Sequence, residues 1–188
     1  MNSRKFCVWI GLILCLNLSA LFGEAMEYFS FEIDGKKVGY YVQQDLNGTF
    51  FCNAWMEMGG ERFENPFWVR HQDGKILAYK FGDGEYIDFK YAEGVYPTSA
   101  FYLLVIWMGE KQEFRYKVLN EGQGKITGEA LLKREGMRVQ EFIGDQPGRY
   151  LILKQGKVQE FGWGGSATSI RVASEEEARK DTPFEQKP

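Results

Sequence analysis

A single histidine, His71, stands in a sequence of 188 residues, which excludes a histidine-rich metal site and any proton relay between two imidazoles. Cysteine is nearly as scarce. Two of the three, Cys7 and Cys15, fall in the apolar N-terminal stretch, and the remaining Cys52 cannot form a disulfide within its own chain. Cys52 with His71 is the only thiol-imidazole pair outside that stretch. The pattern puts Cys52 on the core face of a strand and His71 beside a turn, which argues against a nucleophilic dyad. No apolar run after residue 25 reaches the length of a membrane span, and positive charge is short: 23 basic residues against 26 acidic. A mildly acidic surface disfavours nucleic acid and anionic membrane as electrostatic partners.

The first 25 residues have a character of their own. Arg4 and Lys5 precede the apolar stretch Phe6 to Leu18, which falls short of the ~20 residues a spanning helix needs but suits the core of an export signal. Small residues at Gly23 and Ala25 predict cleavage before Met26, with Leu18 and Ala20 as a poorer alternative. Removing residues 1–25 takes away Arg4, Lys5 and Glu24, so the mature chain stays acidic. The expected location is outside the cytoplasm, in a periplasm, cell envelope or extracellular space.

Beyond residue 25 the dominant signal is a period of two. Phe29, Phe31 and Ile33 share one face of a strand over Glu27–Ile33, and Asp34-Gly35 turns it into a second strand over Lys37–Gln44. Asn47-Gly48 and Gly59-Gly60 bracket a third, with Phe50, Cys52, Ala54 and Met56 in phase. Pro66 marks the fourth, Arg62–His71, as an edge or bulged strand. Lys75–Phe81 and Glu85–Tyr91 complete six. Later strands are predicted at Gln112–Leu119, Lys125–Lys133, Met137–Ile143, Arg149–Lys154, Lys157–Trp163 and Thr168–Ala173.

Between the two groups lies Val95 to Gly109, the longest apolar run of the mature chain. From Phe101 to Met108 it carries no charge, so this segment must be covered on all sides. Pro97 suits a helix start, Thr98 or Ser99 could cap it, and Gly109 suits its end; Val105, Ile106 and the aromatics favour the rival reading, a buried strand. The expected fold is mainly β: one antiparallel meander of ten or more strands over residues 26–174, rolled into a barrel or half-barrel around a short apolar helix. A polar tail at 175–188, frayed to disorder, follows.

No phosphate-binding glycine loop and no twelve-residue calcium pattern is present, and Asp83, Glu85 and Asp88 are accounted for by a hairpin turn. No catalytic residue, metal or cofactor is implied. Glu57, Glu61 and Glu64 near Trp55 and Trp68 could in principle act on a glycan, but acids beside turns are usually just solvated.

Aromatic residues, by contrast, make up 16% of the chain and occur on both faces of several strands. Two accounts are open: both sides of the sheet are covered by other parts of the chain, or one side is an apolar concavity for a lipid-like ligand. The segment Phe31-Glu-Ile-Asp-Gly-Lys-Lys-Val-Gly-Tyr40, the strand meander and the apolar plug through Tyr96-Pro97-Thr98-Ser99-Ala100 resemble exported bacterial proteins of the lipoprotein-carrier-like, glycolipid-binding β-roll group. That resemblance implies an incomplete antiparallel barrel wrapping a short helix, and non-enzymatic handling of a lipid, glycolipid or lipoprotein acyl chain. No ligand-contact signature accompanies it, so the candidate lining residues are taken from the aromatics: Trp55, Trp68, Tyr79 and Trp107. The alternative is an exported interaction domain with a closed core, whose sheet edges meet an envelope protein.

Overall fold

The computed structural model describes residues 26–163 and 165–185; the export segment expected at 1–25 lies outside them. The fold is mainly β. The first meander comprises β1 (Glu27–Ile33), β2 (Lys36–Leu46), β3 (Thr49–Met58), β4 (Glu61–Gln72), β5 (Lys75–Phe81) and the short β6 (Ile87–Asp88). Next come β7 (Val95–Pro97), a 3-10 turn (Thr98–Ala100) and the helix α1 (Phe101–Met108). The second meander is β8 (Glu113–Asn120), β9 (Lys125–Glu135), β10 (Arg138–Ile143), β11 (Gln146–Lys154), β12 (Lys157–Trp163) and β13 (Ala167–Val172); the helix α2 (Glu175–Arg179) follows.

All thirteen strands form one open sheet, in the order β6-β5-β4-β3-β2-β1-β13-β12-β11-β10-β9-β8-β7. The hairpin turns are set locally. Asp34 and Gly35 both adopt left-handed backbone, φ 51 and 74°, the twist that lets a two-residue turn join right-twisted strands. Gly39, the second glycine of that hairpin, lies where a Cβ would collide with the Trp55 carbonyl oxygen, so its absent side chain lets β2 and β3 approach. The first and last strands pair with each other, Tyr28 opposite Val172, and this seam joins the two meanders.

One pair departs from the expected antiparallel pattern. β7 runs parallel to β8, because a strand that returns through a helical crossover arrives in the same direction. α1 is that crossover. It occupies Phe101–Met108, and Gly109 ends it in left-handed backbone (φ 58°) with its N–H donating to the Ile106 carbonyl. Neither expected cap residue makes a capping bond: Thr98 and Ser99 are drawn into the 3-10 turn, and the Thr98 hydroxyl donates to the Leu119 carbonyl instead. Coverage is also incomplete, since Ile106 is 38% exposed.

The rest of α1 is buried between the meanders. Phe101, Leu104, Val105 and Met108 pack with Tyr116, Leu132, Val139, Leu151 and Val158 of the second. Leu103 packs with Phe50, Val69, Ile76 and Tyr79 of the first. The predicted strand at Glu85–Tyr91 shrinks to Ile87–Asp88, with one further backbone bond from the Phe89 N–H to the Leu77 carbonyl at 2.8 Å, and the Phe89 and Tyr91 rings lie 5.1 Å apart. Pro66 sits where β4 changes character. Residues 67–70 pair on both sides, whereas 61–66 pair only with β3, leaving that half an edge as proline requires.

The polar tail expected from 175 is replaced, as far as Glu185, by a docked segment. Ser174 caps α2 through its hydroxyl, which accepts from the Glu177 N–H, and Ala178 is fully buried against Tyr40 and Val42. Phe184 reaches the Tyr40 ring at 6.2 Å, and Arg62 donates to the Pro183 carbonyl at 3.0 Å. Two apolar residues in a charged stretch are enough to anchor it, since each leaves water on docking.

Candidate ligand-binding site

Alternation along the strands puts Phe29, Phe31, Tyr41, Gln43, Phe50, Cys52, Ala54, Met56, Phe67 and Phe81 on the same face as α1. The helix is too short to cover that face. Its eight residues extend about 12 Å, whereas the ten residues of β3 extend about 33 Å. The uncovered part is a cavity of ≈ 380 Å³ at the end of the sheet where β1, β3, β5 and β12 finish.

Its walls are largely aromatic. Phe31, Phe50, Phe67 and Phe81 come from the first meander, Phe161 and Trp163 from the second, and Phe101 and Tyr102 from the start of α1. The rings support one another: Phe31 stacks on Trp163 at 5.1 Å, Phe50 on Tyr102 at 5.1 Å, and Phe161 lies 4.8 Å from Trp163. Phe81 at one rim is 38% exposed, and beyond the cavity Phe63 (44%) and Met58 (49%) carry an apolar surface out along the β3–β4 hairpin.

Polar groups collect where the chain enters α1. Arg149 from β11 donates to Glu141 through Nε (2.8 Å) and Nη2 (2.6 Å), to the Thr98 carbonyl through Nη1 (2.7 Å), and lies over the Phe101 ring at 4.4 Å. Glu141 is 1% exposed and also accepts from the Tyr116 hydroxyl. Burial alone would raise the Glu141 pKa, but the hydrogen bonds and charge of Arg149, with the Tyr116 hydroxyl, outweigh it and hold the carboxyl below its ordinary value. The same burial and the adjacent carboxylate push the Tyr116 phenol well up. Glu121, in the β8–β9 turn, accepts from the Ser99 N–H at 2.7 Å, and the buried Ser99 hydroxyl has no partner.

A second ionic group lies deeper. Glu27 pairs with Arg171 and accepts from the Gln43 side chain at 2.7 Å and the Tyr102 hydroxyl at 3.3 Å. Cys52 faces the cavity, and desolvation pushes its thiol up to about 12. It pairs with Phe67, while His71 lies beyond Arg70 toward the far end and binds Asp45 at 2.9 Å, so the two do not form a dyad.

The four aromatic candidates fall elsewhere. Tyr79 and Trp107 come together in the cluster around Phe50 and Leu103, Trp107 against His71 at 5.3 Å. Trp55 stacks on Tyr40 at 4.7 Å beneath the docked tail, and Trp68 lies on the same outer face beside Phe51, with the Lys80 ammonium 3.9 Å from its ring. None of the four lines the cavity. Glu64 and Glu57 also point outward, held by Asn53 (2.8 Å) and Arg62 (3.1 Å). The phenylalanines that do line it belong to the in-phase rows readable in the sequence; which end of each row stays open depends on how far α1 reaches. No protein-family model matches the sequence, and comparison with curated proteins finds no match.

Proposed function

We propose that this chain is an exported, non-enzymatic binding or carrier protein for an amphiphile, whose acyl or other apolar part occupies the cavity beside α1. The observation that carries the reading is the aromatic cavity of ≈ 380 Å³ left where α1 begins, a volume at the small end of the range for ligand pockets. Its continuation into exposed Phe81, Phe63 and Met58 supplies an apolar path between solvent and interior.

The architecture behind this reading is a rolled half-barrel. Thirteen strands laid flat would span about 55–60 Å, yet the two outermost, β6 and β7, are joined only by residues 89–94, a link that reaches at most about 25 Å. The sheet therefore has to curl until its edges nearly meet. Tyr91 of the link donates to the Gly124 carbonyl at 3.2 Å, across to the second meander. Export rests on the sequence of residues 1–25.

The test is native mass spectrometry of protein recovered from its own envelope, with solvent extraction and a fatty-acyl fluorescent probe. Co-purifying amphiphile, or saturable probe binding abolished by Ala54→Trp, is the expected result. A ligand-free mass together with no probe binding overturns the proposal. The unpaired edge of β4 at residues 61–65 favours a second reading, an interaction domain that pairs with a partner strand; crosslinking in intact cells separates the two.

A further inference from the structure

We infer that the cavity takes a single acyl chain ending in an uncharged ester or amide carbonyl, read by the Ser99 hydroxyl, and that the Glu121 carboxylate turns free fatty acids away. This deepens the amphiphile reading and rests on it. The volume comes first. A methylene occupies roughly the ~30 Å³ of a liquid water molecule, so ≈ 380 Å³ holds about a dozen of them, one chain rather than two.

The second observation is an unmet hydrogen bond. The Ser99 Oγ is buried without a partner, on a residue that lines the cavity, while the N–H of the same residue is already given to Glu121. A buried hydroxyl left unpaired is costly, and a carbonyl oxygen at the end of a bound chain would accept from it.

Charge decides what that end can be. Arg149 is the only cation on the cavity wall among the described residues, and Glu141 already takes its Nε and Nη2, with the Thr98 carbonyl on Nη1. Glu121 stands at the same rim, with no cation in ion-pair distance among the described residues. The rim thus carries one carboxylate beyond the neutral Arg149–Glu141 pair. A carboxylate or phosphate headgroup would add negative charge beside Glu121 with no free cation to meet it; an ester or amide carbonyl adds none.

The experiment titrates the full mature chain with a monoacylglycerol, the primary fatty amide and the free fatty acid of one chain length, at neutral pH, below micelle formation. The expected result is binding of both neutral ligands, with the fatty acid weaker by about tenfold or more. Glu121→Gln should close that gap by strengthening fatty-acid binding relative to monoacylglycerol binding. Ser99→Ala should weaken both neutral ligands by about five- to tenfold with the melting temperature unchanged, and Ser99→Thr should restore them. Fatty-acid affinity equal to or above that of the neutral ligands, or a preference indifferent to Glu121→Gln, overturns the inference and leaves the carrier reading standing. Absence of binding by all three ligands overturns the carrier reading itself, and the inference with it.

Discussion

The two ends of the sheet face that carries α1 share β1, β3, β4, β5 and β12 and their alternation, yet one is solid and the other is hollow. At one end α1 brings Leu103, Leu104, Val105 and Met108 into contact with Val69, Leu132, Val139 and Val158, all nearly inaccessible. At the other, Phe31, Phe67, Phe81 and Trp163 face the cavity. Strand residues alone do not create the difference. The place where one helix begins does, because Pro97 and the 3-10 turn delay its start at the cavity end. A core in this fold is a place where a second layer happens to reach.

The sharpest way to break the comparison is to place one charge at each end. Leu104→Asp buries an unpaired carboxylate among apolar side chains and should cost more than about 4 kcal/mol, enough to abolish the cooperative urea transition. Phe81→Asp, at a rim already in water, should cost about 1 kcal/mol or less and leave that transition intact. Equal losses at the two positions would mean the open end is not open.

Next in size is Glu141→Gln. It leaves the largely buried Arg149 guanidinium against an uncharged partner, and should cost about 3 kcal/mol by urea denaturation. It also carries a pH signature. The folded-state pKa of Glu141 lies below its ordinary value of 4.5, so the ion pair adds stability above that value and loses it as pH falls through the depressed one. Acid titration of the wild type should show that loss, and the Gln variant should lack that component.

A gentler pair sharpens the contrast by adding volume. Ala130→Leu over-packs the filled end and should cost about 1–3 kcal/mol, whereas Ala54→Leu enters the cavity and should change stability by less than about 0.5 kcal/mol while weakening binding of any acyl probe. The smallest effect is chemical. With its thiol pushed up to about 12, Cys52 holds little thiolate near neutrality, so iodoacetamide should label it far more slowly than free cysteine, and more slowly still with a ligand in the cavity.

Much of this was readable from residue order. The strands Glu27–Ile33, Lys75–Phe81 and Lys157–Trp163 and the helix Phe101–Met108 coincide with the periodicity and the turn residues, because both are local. The parallel β7–β8 pair was not readable, since Val95–Pro97 is too short to carry a pattern and its direction follows from the crossover. The docked tail escaped because only Ala178 and Phe184 mark it among charged neighbours. Site residues were the hardest. Tryptophan draws attention by size, yet Trp55 and Trp68 stack on the outer face while smaller Phe31 and Phe67 line the cavity. Inward and outward faces can be counted along a strand, but depth along the sheet cannot.

The seam between first and last strands has a consequence in time. Glu27 and Arg171, paired across it, are 144 residues apart in the chain, so β1 cannot find its second neighbour until β13 has been made. Closing so long a loop slows the search, and until it closes each meander offers a bare edge. A chain in which this seam closes last carries two bare strand edges, β1 and β13, for as long as the two meanders remain apart.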